Sequence, residues 1–257
     1  MDPLYRIDHD GTPRYAVRRH DGWRLLAGDP YGEHTVGAGL ETDTPRLLAP
    51  VLPSKIVAVG LNYKDHAAEM NKTLPDEPLI FLKPSTAVIG TGSAIVIPPG
   101  AGRVDYEAEV GVVIGKTARH VLAADAHDYV LGLTCVNDVT DRDLQRRDVQ
   151  YTRAKGFDTF APVGPCVVSG DIDKAIGVGS RVNGETRQQS STRELIFSIR
   201  ELIEFVTRVM TLLPGDIIST GTPPGVGPLV PGDQVVVAIE GVGELVNDVT
   251  AARVRSL

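Results

Sequence analysis

Apolar residues come in short runs along most of this chain, each closed by glycine, proline, asparagine or aspartate. From residue 55 onward the runs are Lys55–Val59, Leu79–Leu82, Ala94–Ile97, Glu107–Ile114, Tyr129–Val136, Val163–Val168, Gly179–Val182, Asp216–Ser219 and Gln234–Ile239. Runs of this length, bounded by turn formers, predict strands. Asn183-Gly184 between two of them predicts a tight hairpin. The longest helical period lies in Ile199–Leu212, where Leu202, Ile203, Val206, Val209, Met210 and Leu213 recur on one face. Two shorter helices are expected. One opens at Asn62-Tyr63-Lys64-Asp65, a capping-box pattern, and continues to Met70. The other repeats the pattern at Thr140-Asp141-Arg142-Asp143, before Leu144–Tyr151. Residues 1–45 alternate loosely between turns at Asp10-Gly11, Asp21-Gly22 and Gly28-Asp29-Pro30, and prolines at Pro50 and Pro53 break regular pairing. The pattern therefore divides the chain into a small β-rich N-terminal lobe, 1–50, and a larger domain, 51–257. No alternating series of strand and helix supports a dinucleotide-binding fold. The fold class is mainly β (α+β), with few helices.

Polar positions inside these runs carry the candidate chemistry. Val104-Asp105-Tyr106-Glu107-Ala108-Glu109-Val110 alternates, so as one strand it turns Glu107 and Glu109 to the same face. Tyr129–Val136 ends in Asn137-Asp138, which offers a third carboxylate. An all-oxygen set suits Mg²⁺ or Mn²⁺ better than zinc. An amphipathic strand with a solvated acidic face explains the same letters. His66 and Glu69 lie three apart on the first short helix, which puts them side by side. Such a pair can hold an imidazole ready to take a proton, or can be an ordinary surface contact. Lys83 ends a strand before Pro84, and Lys155 follows the second helix. Either can bind a carboxylate or developing negative charge, and either can be a solvated lysine. Thr220-Gly221-Thr222-Pro223-Pro224-Gly225 follows an apolar run and can turn backbone N–H groups and a hydroxyl toward an anion.

Composition narrows the partners. The 257 residues carry a net charge of −7 with no cluster of lysine and arginine, which argues against nucleic acid. No run approaches the roughly 20 apolar residues of a membrane span. The first residues, Met1-Asp2-Pro3-Leu4-Tyr5-Arg6, lack the pattern of a secretory signal. Cys135 and Cys166 both sit in apolar runs and read as buried thiols of a reducing compartment, so a cytoplasmic protein is expected. Nucleophile elbows, P-loops and paired CxxC motifs are absent.

In chain order, the motifs resemble one family. They are Val59-Gly60-Leu61-Asn62-Tyr63-Lys64-Asp65-His66-Ala67-Ala68-Glu69, Phe81-Leu82-Lys83-Pro84-Ser85, Asp105-Tyr106-Glu107-Ala108-Glu109, Asn137-Asp138-Val139-Thr140-Asp141-Arg142-Asp143-Leu144-Gln145, Arg153-Ala154-Lys155-Gly156 and Gly215-Asp216-Ile217-Ile218-Ser219-Thr220-Gly221-Thr222-Pro223. Together they look like the fumarylacetoacetate hydrolase family, over about residues 53 to 250. The resemblance implies a roll of mixed β-sheets, a variable N-terminal lobe and a homodimer. It implies that Glu107, Glu109 and Asp138 hold the metal, and that His66 and Glu69 form a dyad on a lid. Lys155, Gln145, Lys83 and Thr222 match positions that contact substrate or the reacting water. Leu61 departs from the family, because many members carry arginine there. The connection Asp173–Gly177 is also short, with no catalytic consequence expected.

The implied chemistry is that of 2-oxo (2,4-dioxo) acids, with a C–C bond cleaved through a metal-stabilised enolate. Intact His66 and Glu69 incline the reading toward acylpyruvate-type hydrolysis. The same motifs resemble oxaloacetate decarboxylases and 2-hydroxyhepta-2,4-diene-1,7-dioate isomerase/decarboxylases of aromatic catabolism. A catalytically silent binding protein is disfavoured, because no metal ligand is lost.

Overall fold

Four strand ends meet at one edge of the main sheet, and that meeting positions the cavity described below. The computed structural model describes residues 2–40, 42 and 44–252, so the outer ends of both expected units lie outside the described residues. Lys55–Val59 and Ile217–Ser219 pair in parallel, with Ile217 opposite Ile56 and Ser219 opposite Ala58. Both strands therefore deliver their following residues, Gly60–Asn62 and Thr220–Thr222, to the same edge. Ala108–Ile114 runs antiparallel to Ile217–Ser219, with Gly111 opposite Ser219, so it begins at that edge. Val130–Asn137 runs antiparallel again, with Ala108 opposite Asn137, and ends there.

From this centre the main sheet extends one way to the edge strand Ile80–Pro84 and the other through Ala161–Val168 to the N-terminal strands. Leu4–His9 joins the sheet through Leu4, opposite Val167. With Thr12–Arg19, Gly22–Gly28 and His34–Gly39 it forms an antiparallel meander, with a core of its own around Ile7, Ala16 and Trp23. A five-stranded sheet holds Glu185–Ser191, Gly177–Val182, Gln234–Ile239, Gly243–Ala251 and Ile95–Ile97. The architecture is mainly β, as the patterning predicts, with the mixed sheets that the resemblance implies. Asn183 and Gly184 close the expected hairpin, both at positive φ (52° and 82°), the conformation of a type I′ turn. No helix among the described residues is long and apolar enough to cross a membrane.

The helix Ile199–Val209 caps the core with Leu202, Ile203 and Val206, all fully buried. Each such side chain contributes roughly 1.5–3 kcal/mol by leaving water. Its start is a true capping box, Ser198 with Glu201. It stops before Leu213 because Leu212 is held in an extended bridge to Ala118, and Val209 and Leu213 are left exposed.

Both shorter capping boxes form differently from the expectation. The first helix, Lys64–Glu69, has Tyr63 at its N-cap with no side-chain bond. Asn62 is fully buried and spends its amide elsewhere: Nδ2 donates to the Thr220 carbonyl (2.8 Å) and the Phe197 carbonyl (3.2 Å), and Oδ1 accepts from Phe197 N (2.8 Å). It ties the two parallel strand exits together. The second helix, Arg142–Arg147, is capped by Asp141, not Thr140, because the Thr140 hydroxyl donates back to the Asp138 carbonyl. A separate turn of helix, Thr152–Lys155, follows it.

The strands Ala161–Val168 and Gln234–Ile239 are covered within the chain. Val163 and Val167 on one, and Val235, Val237 and Ile239 on the other, are buried in the protein's own cores.

Candidate active site

The acidic strand is buried on both faces, which removes the reading of a solvated acidic surface. It is also broken: Val104–Tyr106 and Ala108–Ile114 are separate strands, with Glu107 between them. Glu107 N donates to Asn137 Oδ1 (2.9 Å), and the Glu107 carbonyl accepts from Asp138 N (2.9 Å). These bonds pin the two acidic stretches to each other. Oxygens of Glu107, Glu109 and Asp138 all come within 4.8 Å of one another, and all three residues are buried.

Buried carboxylates need partners. Lys155 Nζ donates to Glu107 Oε2 (2.9 Å), Asp138 Oδ2 (2.5 Å) and Thr140 Oγ1 (2.8 Å), so all three of its protons are engaged. Lys83 Nζ reaches Asp138 Oδ1 (2.5 Å) and the Val139 carbonyl (3.2 Å). Arg142 spans Glu107 Oε1 (2.5 Å), Asp105 Oδ2 (2.9 Å) and Gln145 Oε1 (2.8 Å). Among the described residues Glu109 has only neutral hydrogen-bond donors, Ser219 Oγ (2.5 Å) and Gly221 N (2.9 Å). Gly221 sits at φ +96°, and a Cβ there would lie 2.8 Å from the Asn62 side chain. Glycine is what lets this amide reach the carboxylate.

The charges follow from that inventory. Burial would raise the Glu107 carboxyl, yet Lys155 and Arg142 outweigh burial and lower it to about 2. Burial, then Asp138 and Glu107, push Glu109 up to about 8. Burial lowers Lys83, only partly opposed by Asp138. For Lys155 burial again disfavours the charge, but Asp138 and Glu107 prevail and raise it. One buried carboxylate without a cation, facing two others, fits a divalent metal held by oxygen ligands.

Above the triad lies a cavity of about 520 Å³. Its wall includes Glu107, Glu109, Lys155, Gln145, Thr222, His66 and Glu69. His66 Nδ1 is 2.9 Å from Glu69 Oε2, and Glu69 Oε1 accepts from Gly225 N (3.2 Å). The short helix is thus fastened to the loop that bears Thr222. Phe81 and Tyr151 form an aromatic wall with ring centroids 5.4 Å apart, and Lys155 Nζ lies 5.0 Å from the Phe81 ring. Leu61 also lines the cavity and gives it a methyl-bearing surface there.

The matched family model, fumarylacetoacetate (FAA) hydrolase C-terminal, covers residues 55–250. The chain belongs to the fumarylacetoacetate hydrolase family. Rat mitochondrial oxaloacetate tautomerase Fahd2a is 44% identical over 214 residues, covering 79% of this chain and 68% of the rat protein. The structure of 5-carboxymethyl-2-hydroxymuconate delta-isomerase from Mycobacterium smegmatis superposes with a TM-score of 0.91 at 42% identity, covering 97% of this chain and 100% of that one. That of 2-hydroxyhepta-2,4-diene-1,7-dioate isomerase from Mycobacterium marinum gives 0.90 at 40%, covering 98% and 99%. This is an enzyme family of hydrolases, isomerases and tautomerases.

Lys83 differs from its expected place. It is fully buried and off the cavity wall, beneath Asp138, because Ile80–Pro84 turns Leu82 outward and Lys83 inward. Asp138 likewise lies behind the wall, 1% exposed. Two residues escaped the sequence reading. Arg142 stands inside the motif that supplied Asp138 and Gln145, and an arginine beside so many acids was the available signal. Gln188 carries no local signal. It is buried, and it bonds Ala108 N and Thr222 Oγ1 across 80 and 34 residues.

Proposed function

We propose that this protein acts on 2-oxo acids, moving a proton at C3 to interconvert keto and enol or shift a double bond. The observation that carries it is the imidazole of His66, held 2.9 Å from Glu69 on the cavity wall that also bears Glu107 and Glu109. Glu69 Oε2 accepts a hydrogen bond from Nδ1–H, which leaves the Nε2 lone pair free to take a proton. Glu107, Glu109 and Asp138 would hold Mg²⁺ or Mn²⁺. Bound there, the ion would supply electron withdrawal from the substrate's oxo group. His66 removes the C3 proton and returns it to the product. Lys155 compensates charge at Glu107 and Asp138, Gln145 stands beside Arg142, and Thr222 faces the cavity. The names of the three relatives support proton movement of this kind. Acylpyruvate hydrolysis is the second reading, favoured by the same dyad, which can equally take a proton from an attacking water.

A panel with Mg²⁺ separates them: oxaloacetate, an unsaturated seven-carbon oxo-diacid and acetylpyruvate, scored for absorbance change, CO₂ and released acid. Absorbance change without CO₂ or acid is the expected result. Released acid from acetylpyruvate as the fastest reaction would put hydrolysis first, and silence on all three would remove both readings.

The proposal extends to a cytoplasmic homodimer. Buried free thiols at Cys135 and Cys166 support a reducing compartment. The edge strand Ile80–Pro84 leaves Leu82 exposed beside exposed Leu79, apolar surface for a second copy. Light scattering that finds only monomer at micromolar concentration removes the dimer.

A further inference from the structure

Gln188 is 1% exposed, and all four of its hydrogen-bonding positions are filled. Oε1 accepts from Ala108 N (3.0 Å) and Ser180 Oγ (2.9 Å), while Nε2 donates to Thr222 Oγ1 (2.8 Å) and the Pro223 carbonyl (2.8 Å). Two of these partners are fixed in kind: a backbone N–H only donates, and a backbone carbonyl only accepts. The amide therefore has one possible orientation. Its Nε2 must donate to Thr222.

A threonine hydroxyl has one proton and two lone pairs. In Thr222 one lone pair takes the Gln188 proton. The proton goes to the Ala108 carbonyl (3.0 Å), the residue between Glu107 and Glu109. One lone pair remains, and Thr222 lines the cavity.

We infer that Gln188 is a positioning residue that makes the Thr222 hydroxyl an acceptor only, so that it receives a hydrogen-bond donor of the ligand, an enol hydroxyl or a reacting water, and not a carboxylate oxygen. This rests on the proposed 2-oxo acid site and revises the role expected for Thr222. A carboxylate oxygen at that lone pair would meet acceptor with acceptor, which is repulsive. An enol hydroxyl there is matched. The arrangement favours the enol form of a bound 2-oxo acid over its ionised form, because only the former still carries a proton to give. Gln188 also ties Thr222 to the backbone of the ligand-bearing strand, so the acceptor keeps a fixed place relative to the carboxylates.

Two measurements test this. Neutron diffraction of the full chain exchanged into D₂O should show the Thr222 deuteron toward the Ala108 carbonyl oxygen. A deuteron pointing into the cavity overturns the inference, whatever the enzyme's substrate. Binding with Mg²⁺ then compares oxalate, which only accepts, with oxamate, its isostere with an NH₂ donor. Thr222→Val should weaken oxamate about tenfold, as expected for one lost bond of about 1.4 kcal/mol. It should leave oxalate within twofold. Thr222→Ser should restore oxamate binding, and Gln188→Met should narrow the preference for oxamate by strengthening oxalate, since the freed hydroxyl can then turn its proton to the ligand while still offering oxamate an acceptor. Equal loss of oxalate and oxamate in Thr222→Val overturns the inference. Failure of both to bind the unaltered protein instead counts against the 2-oxo acid reading, and the deuteron position still decides the Thr222 assignment. If Gln188→Met does not fold, the two Thr222 variants and the neutron map carry the test.

Discussion

The strand Ile217–Ser219 has a buried carboxylate at each end, and the two are treated in opposite ways. Asp216, just before it, accepts from Ser54 N (2.8 Å), Ser54 Oγ (2.7 Å), Lys55 N (3.2 Å), Leu213 N (2.9 Å) and Lys55 Nζ (2.6 Å). Burial would raise its carboxyl, but the Leu213 amide, Lys55 and Ser54 together lower it. Glu109, held by Ser219 and Gly221 at the far end, has two neutral donors and two acidic neighbours, and is raised to about 8. Both are buried acids on the same few residues of sheet. The one that is fully satisfied serves the fold, and the one left wanting a cation marks the site. A raised carboxyl is informative here because the same strand shows how easily the fold could have satisfied it.

Removing each charge should act with opposite sign on stability. Glu109→Gln should abolish divalent-cation binding in calorimetry, and turnover with it. A carboxyl whose folded value is raised gives stability below its unfolded value that is lost as pH rises through about 8. The metal-free Glu109→Gln protein should therefore be more stable than the parent at pH 9, by roughly 1–3 kcal/mol in urea unfolding. Asp216→Asn should keep metal binding and turnover per folded molecule, but lose about 3 kcal/mol of stability. If Asp216→Asn abolished metal binding, or Glu109→Gln lost stability, the division between the two ends would be wrong.

Glu69 is a third kind of carboxylate, half-exposed and paired with an imidazole, and it sharpens the contrast on the side of chemistry. His66→Ala should cost about 10²–10⁴-fold in the rate of C3 proton transfer or of hydrolysis. It should cost decarboxylation of oxaloacetate much less, because there no proton has to be removed. Metal occupancy should be unchanged. Equal losses in all reactions would make the helix a closing lid and nothing more.

The proton on Glu109 should also be visible as competition. Between pH 6 and 8 the apparent affinity for Mg²⁺ should rise by about tenfold per unit and then flatten, since the cation must displace that proton. A flat profile across this range would mean that Glu109 is already ionised without metal.

What the sequence made legible was local. Period-two spacing brought Glu107 and Glu109 forward, a run ending in Asp138 gave the third acid, and helical spacing joined His66 to Glu69. Each of these signals spans ten residues or fewer. The distribution of charge over the acids was not legible, because it depends on which lysine points inward. Lys83 read as a strand-end cation and is instead beneath Asp138, since alternation along Ile80–Pro84 is set by the buried partner strand. Asn62 and Thr140 read as helix caps, and tertiary bonds claimed both side chains first. Gln188 meets the site only through folding of a different sheet.

The smallest expected effect concerns Lys55, whose side chain is 21% exposed and pairs with Asp216 at 2.6 Å. Lys55→Met removes one of five donors and the only cation among them. Asp216 keeps its four remaining bonds, so the loss at pH 7 should be about 1 kcal/mol, well short of that in Asp216→Asn. The pH dependence gives the sharper reading. A carboxyl whose folded value is depressed contributes stability above its unfolded value, near 4, and loses it as pH falls through the lower folded value. Without Lys55 the folded value moves back up, so acid unfolding should begin at higher pH than in the parent. Circular dichroism across pH 2 to 6 reads this directly. Coincident acid transitions would show that the backbone amides and Ser54 alone hold Asp216 ionised, and that Lys55 is a surface ion pair with little effect.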